Sequence, residues 1–236
     1  RLAVLQAGYG IGDFEVKKAS TKRGLQFRIG VENLTDGHSV PTGFIAERVV
    51  FLQVEVKNEA GETVFVSGDL DPNFDVRDLD SLFVHNREIS LDQQLFTLQS
   101  SFITRNVRGT EREQVLAINF SPSPLPFLRP SRFAATLTGR PGGARIHKKN
   151  ITPLDSRWAD YRVGKKKLTG PGTYTVSAKL IAGMVPINLI DEIKDVGFDY
   201  GMSAHQVALG VRFGVGDVLD AEGNRLGRNH IDTLIE

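Results

Sequence analysis

The chain has 236 residues, with 29 Lys and Arg against 28 Asp and Glu, 40% hydrophobic residues and no cysteine. The near-zero net charge gives no overall field that would attract nucleic acid or a membrane surface. The absence of cysteine excludes disulfides, thiolate chemistry and zinc–cysteine sites. No window of 18 or more apolar residues occurs, so we expect no membrane span. This composition is typical of a soluble globular protein, and we predict one domain over residues 1–236.

The amino-terminal half shows the two-residue alternation of strands. A glycine-spaced entry segment, 8–12, lacks any phosphate-loop pattern and is predicted to be extended, with Phe14 and Val16 beginning the first strand. Apolar residues then alternate with polar ones, which puts each set on its own face of a strand. Further strands are predicted at 25–34, 49–57, 63–67, 94–104 and 114–120.

The carboxy-terminal half begins with a proline-dense segment, 121–131. Prolines at that density prevent a strand ladder, so this segment is the candidate for an internal seam of the domain. Apolar spacing of three and four residues follows a confident strand and predicts a helix, and Ser203 is the expected N-cap of a second one. The predicted elements are strands at 132–138, 173–181 and 211–218 and helices at 185–196 and 203–209, with 139–162 irregular.

These short alternating strands, separated by glycine and proline turns, predict a mainly β protein. We expect an antiparallel β-sandwich with one or two short helices near the C-terminus, because parallel-sheet folds would alternate strands with helices. The acidic loop at 69–86 carries Asp69 and Asp71 and suggests calcium ligands. The EF-hand pattern fails there, since neither the sixth-position glycine nor the twelfth-position glutamate is present, so calcium is not favoured.

The connection between the first two confident strands contains residues 37–43, with the sequence GHSVPTG. Gly37 and Gly43 permit positive φ, and Pro41 fixes its own φ, so we predict a rigid loop that carries one imidazole, His38. The structural interpretation is that the His38 ring locks the loop through a hydrogen bond. The functional interpretation is that the ring contacts a haem of another chain, because a neutral imidazole nitrogen is a good iron ligand.

This loop, together with Arg48 and later segments, resembles the β-rich domain that follows the haem-binding part of certain multihaem c-type cytochromes. The matching segments cover most of the chain in patches: 37–43, 58–64, 67–68, 95–100, 108–111 and 195–202. One departure is large, because a chain without cysteine has no C-x-x-C-H attachment site. Covalent haem carriage by this chain is therefore excluded, and any haem c would belong to a partner chain.

The resemblance implies a non-catalytic structural and docking module of an extracytoplasmic electron-transfer assembly. The implied partner is a multihaem cytochrome c subunit or haem-bearing segment, and the implied location is periplasmic or extracellular, with a signal or upstream segment removed. No G-x-S-x-G or H-E-x-x-H motif occurs, so we expect no enzyme. The residues singled out are His38 and His85 for haem contact in trans, and Pro41, Gly43, Arg48, Trp158 and Tyr161 for binding.

The alternative is a cell-surface or carbohydrate-binding β-sandwich with no redox role. It depends on Trp158 and Tyr161, which lie three residues apart. Their rings are suited to stacking on a sugar ring or a porphyrin edge, or to capping the hydrophobic core.

Overall fold

The computed structural model describes residues 2–43, 48–78, 81–105, 113–116, 144–193, 201–215 and 230–235. Within these residues the strands are β1 (Tyr9–Ser20), β2 (Gly24–Asn33), β3 (Val49–Lys57), β4 (Thr63–Ser67), β5 (Phe96–Thr97), β6 (Ser101–Arg105), β7 (Glu113–Leu116), β8 (Ala144–His147), β9 (Ser156–Val163), β10 (Gly172–Gly183), β11 (Arg212–Val215) and β12 (His230–Ile235). The α-helices are α1 (Leu2–Gly8), α2 (Leu82–His85), α3 (Ile187–Ile193) and α4 (Ala204–Leu209), and a short 3-10 turn spans Lys165–Lys167.

Every strand pair in the described residues is antiparallel, which confirms the predicted mainly β class. One sheet has the order β1-β2-β9. A second has the order β11-β10-β3-β4, with β12 also beside β10 and β5 also beside β3. A small third sheet has the order β7-β6-β8.

The core lies between the first two sheets. Inward side chains of β2, including Phe27, share one buried cluster with those of β3 and β10, such as Val54 and Val176. The alternation read from the sequence thus identifies the buried faces of these strands, because successive side chains of a strand point to opposite faces. Burying each such side chain contributes about 1.5–3 kcal/mol, so this layer is the main source of stability.

Two predicted segments are wrong. The expected single strand at 94–104 is split: β5 pairs with β3 in the second sheet, and β6 pairs in the third. Alternation shows which face a residue occupies but does not show where a chain leaves one sheet for another. The segment 139–162 is not irregular, because it contains β8 and most of β9. Exposed charged residues at the start of β9 concealed its apolar set.

The predicted carboxy-terminal helices are present. Helix α3 follows Pro186, and α4 begins at the predicted N-cap, where Ser203 and Gln206 form a reciprocal capping box. Helices α1 and α2 and strand β12 were not predicted. The proline-rich seam at 121–131 and the strand at 132–138 lie outside the described residues. In the part of the chain that the structure covers, no helix has the length and apolarity needed to cross a membrane.

Candidate functional site

The loop at 33–43 is organised by a buried amide at the end of β2, not by its histidine. Asn33 is 2% exposed. Its Nδ2 lies 2.8 Å from the carbonyl oxygen of His38, 3.1 Å from that of Ile151 and 3.0 Å from that of Thr152. Its Oδ1 accepts from the N–H and the hydroxyl of Thr35, at 2.9 and 2.7 Å. The nitrogen and the oxygen of this buried amide therefore both have hydrogen-bond partners, as buried polar groups require.

Backbone hydrogen bonds join the same loop to the segment 151–155. Val40 and Ile151 exchange N–H···O bonds of 2.9 and 2.8 Å in an isolated bridge. The N–H of Leu154 donates to the carbonyl of Thr35 at 3.0 Å. Pro41 is buried and follows a cis peptide bond, whereas Gly43 is exposed with φ +75°. The loop thus has its shape fixed by neighbours that are far away in the sequence.

The His38 ring is exposed and carries little of this structure. Its Nδ1 lies 3.3 Å from the carbonyl oxygen of the adjacent Ser39, and no other hydrogen bond of the ring is formed within the described residues. The ring therefore does not hold β2 and β3 in register. The locking role proposed for it belongs to Asn33 instead, and the second ring nitrogen, Nε2, is left for an outside partner.

Two exposed leucines belong to the same loop and to the segment bonded to it. Leu34 is 47% exposed, and Leu154, whose N–H bonds to the loop, is 72% exposed. Leu154 also has φ +55°, a conformation that costs a branched side chain of the order of 1 kcal/mol. We call Leu34, His38 and Leu154 the His38 surface.

Arg48 belongs to the other end of the loop. Its Nη1 lies 3.3 Å from the carbonyl oxygen of Met184 and 2.8 Å from the sulfur of the same residue. A Cβ placed on Gly43 would lie 3.6 Å from Arg48 Nη2, so these two predicted residues are neighbours. Burial raises the pKa of nearby Tyr9, and the positive charge of Arg48 opposes that rise. Arg48 thus connects the loop region to the turn after β10.

Trp158 and Tyr161 lie on opposite faces of β9 and cannot stack on one ligand. Tyr161 is 1% exposed, with its ring centroid 5.4 Å from that of Phe27 and 6.1 Å from that of Phe65. Burial raises the pKa of Tyr161, and its hydroxyl has no hydrogen-bond partner in the described part of the chain. Tyr161 is therefore part of the hydrophobic core and is not available to stack on a ligand. Trp158 is half-buried on the outer face, with the guanidinium carbon of Arg28 4.0 Å from its ring centroid.

His85 ends the short helix α2 and is exposed. Its ring makes no hydrogen bond within the described residues, and no described contact joins it to His38. Nor do the described residues bring three or more His, Cys, Asp or Glu together in a way that could hold a metal ion.

The acidic loop before α2 uses its carboxylates internally. Asp71 Oδ1 accepts from the N–H groups of Asn73 and Asp75, at 2.8 and 3.0 Å, and its Oδ2 accepts from the Ser81 hydroxyl at 2.7 Å. Asp69 forms an ion pair of 2.5 Å with Arg77. Asp69 and Asp71 thus have hydrogen-bond and ion-pair partners within the loop itself.

The sequence analysis missed both organising residues, Asn33 and Asp71. A signal was present, since Asn33 precedes Thr35 by two positions and Asp71 precedes Asn73 by two. Asn and Asp side chains commonly bond the backbone two residues later. That pattern locates a turn but does not reveal the distant partners of Asn33.

Comparisons with known proteins gave one similarity in three-dimensional structure. No protein-family model matches the chain, and no curated protein matches it. A solved structure of a penta-heme cytochrome c552 from Thermochromatium tepidum is similar over 86% of this chain, with 14% sequence identity and a TM-score of 0.46. The chain spans 38% of the length of that cytochrome. At this level the likeness carries no residue correspondence.

Proposed function

We propose that this protein is a non-catalytic docking module of an extracytoplasmic electron-transfer assembly, and that the His38 surface faces a haem of a multihaem c-type cytochrome. The observation that carries the proposal is an exposed imidazole on a loop that the buried Asn33 amide holds in place. A loop with a preset shape loses little conformational entropy when it docks. The haem partner and the periplasmic or extracellular location come from the resemblance at residues 37–43.

The chemistry of His38 suits this role. When Nδ1 donates its hydrogen to the carbonyl of Ser39, the lone pair is on Nε2, which is the form that coordinates iron or accepts a hydrogen bond. Leu34, in the same loop, and Leu154, in the segment bonded to it, add exposed apolar side chains to this part of the molecule. Apolar neighbours exclude water from a porphyrin edge and thereby help to tune its reduction potential.

A haem c peptide with one vacant axial position provides the first test. The full chain is titrated into the ferric peptide, and the Soret band is followed. We expect a saturable shift that disappears in His38→Ala. His85→Ala is measured in parallel, because His85 is the other histidine singled out for haem contact and is also exposed on a surface segment. An equal loss in both variants would mean that any exposed imidazole suffices, and an unchanged titration in His38→Ala would refute the proposal.

The second test uses a purified multihaem c-type cytochrome. We expect the wild-type chain to shift the Soret band or a reduction potential of that cytochrome, and we expect folded His38→Ala to lose the shift. Leu154→Ser should weaken the association while leaving the imidazole in place. If both variants still shift the Soret band or the reduction potential, the haem contact lies on another surface of this chain.

The carbohydrate-binding alternative now depends on Trp158 alone, since Tyr161 is in the core. The guanidinium of Arg28 lies over the Trp158 ring, so one ring face is already occupied. The geometry therefore favours the docking module. Retention of the chain on a glycan array, with no response to the haem peptide, would reverse this preference.

A further inference from the structure

We infer that the outer edge of β9 is a second docking site, which binds an extended acidic segment of a partner protein. This site is separate from the His38 surface and does not depend on the proposed function. In an antiparallel strand, both backbone groups of one residue point to the same side. The N–H of Arg162 donates to Gln94 Oε1 at 2.6 Å, and Gln94 Nε2 donates to the carbonyl of Arg162 at 3.1 Å.

Those two bonds show which way the edge faces. Because the backbone N–H and C=O of Arg162 bond to Gln94, they point away from β2. A strand repeats every two residues, so the backbone N–H and C=O of Asp160 and Trp158 point away from β2 as well. The backbone groups of Asp160 and Trp158 on this side have no hydrogen-bond partner in the described residues. Gln94 thus occupies one position of the ladder with a side-chain amide, and the next two positions are open to another strand. Such an edge is a template for strand addition.

The open positions border a groove of about 500 Å³. Phe96 and Leu95 line it from the segment around β5, and Trp158 lines it from β9. Both rings are half-buried, and each has a guanidinium over it, Arg28 over Trp158 and Arg157 over Phe96. The apolar area that these rings still offer to the groove is held in place before a partner binds, which lowers the entropy cost of binding. An added strand would pair with the backbone of β9 and place alternate side chains against these rings.

The charged side chains along this edge indicate which charge the partner segment carries. Asp160 is already paired with Lys17 at 2.6 Å. Four exposed cations of the same stretch form no ion pair within the described residues: Arg157, Arg162, Lys165 and Lys166. The Arg157 guanidinium also donates to the carbonyl of Lys149 and lies 5.9 Å from the Phe96 ring centroid. Because none of these four cations has a carboxylate partner in the described residues, an acidic strand complements their charge.

The intrinsic fluorescence of the full chain reports on this site, because Trp158 is its single tryptophan. The probe is a synthetic peptide in which Glu alternates with Val. A second peptide of the same sequence is N-methylated at every other residue, which retains its charge but removes the ladder hydrogen bonds. We expect a saturable change with the first peptide and binding at least about tenfold weaker with the second, since two or more hydrogen bonds are lost.

Matched charge variants complete the experiment. Arg157→Ser with Arg162→Ser should weaken binding of the acidic peptide by about fivefold, whereas Lys18→Ser with Lys179→Ser, which removes the same charge from other strands, should stay within about twofold. If the two double variants lose equal affinity for the acidic peptide, the effect is general electrostatic attraction and the proposed site is refuted. Equal binding of the methylated peptide, or no binding of either peptide, would also overturn it. Slow amide exchange at Trp158 and Asp160 in the unbound chain would show that the edge is already paired within this chain, which contradicts the inference as well.

Discussion

The loop at 33–43 and the acidic loop at 69–78 each depend on one buried polar side chain, and the two side chains act differently. The Asn33 amide donates as well as accepts, so it joins its own loop to the carbonyls of Ile151 and Thr152. The Asp71 carboxylate only accepts, and it gathers the N–H groups of the next few residues and the Ser81 hydroxyl. The neutral amide can therefore connect two distant segments, whereas the carboxylate closes a local turn.

The histidines near the two loops differ for a related reason. In the acidic loop, Phe74 has φ +62° and is 49% exposed, and its ring lies edge-on to His205 with centroids 5.8 Å apart. Arg212 Nη1 also bonds to the carbonyl of Phe74 at 2.7 Å. This loop uses its exposed aromatic ring to contact helix α4, so His205 has a neighbour that His38 lacks. A histidine ring is therefore available for binding where the surrounding fold does not need it.

The largest expected effect is from Asn33→Ala. Three carbonyls lose their shared donor, and we expect a loss of about 3 kcal/mol in the free energy of unfolding. Urea denaturation followed by circular dichroism measures it. Asn33→Asp sharpens the test, because it keeps the acceptor for Thr35 but places a carboxylate against the carbonyls, and it should recover little of the loss. A cost below about 1 kcal/mol for Asn33→Ala would show that the amide is not the organiser.

Asp71→Ala should cost less, about 2 kcal/mol, because the groups that it leaves unpaired lie in one local turn and water can reach some of them. Asp71→Asn keeps an acceptor oxygen and should recover more than half of that loss. The same denaturation experiment applies. If Asp71→Ala proved more damaging than Asn33→Ala, the distinction between a local and a long-range organiser would be wrong.

Glycine at two of the positive-φ positions, Leu154 and Phe74, should have a smaller and opposite effect on stability. Leu154→Gly removes a strained backbone conformation at a residue that is 72% exposed, and we expect a gain of about 0.5–1 kcal/mol. Phe74→Gly should gain less, because it also loses the ring contact with His205. Thermal unfolding compares the two variants. A destabilised Leu154→Gly would mean that this side chain packs within the chain.

His38→Ala should have the smallest effect on stability, below about 0.5 kcal/mol, since the exposed ring makes one long hydrogen bond to its neighbour. His205→Ala provides the comparison and should cost about 1 kcal/mol, because its ring packs on Phe74. The measurement is again the midpoint of urea denaturation. A cost of 1–3 kcal/mol for His38→Ala would restore the structural interpretation of the loop motif.

Much of the fold was determined by the sequence alone. The alternation at 25–34, 49–57, 63–67 and 173–181 predicted β2, β3, β4 and β10 nearly to their ends. Ser203 was identified as a helix cap, and the structure adds the capping box with Gln206. These features are local, since a strand's faces and a helix's first turn depend on residues only two to four positions apart. The role proposed for His38 stays a prediction from the sequence.

Only the tertiary structure decided what surrounds that residue. Asn33 contacts Ile151 across 118 positions of the chain, and Arg48 contacts Met184 across 136. The division of 94–104 between two sheets, the strand β9 with its open edge and the burial of Tyr161 likewise depend on which segments pair. No local spacing encodes such pairs, because their formation is set by the packing of the two sheets against each other and not by the periodicity of either partner.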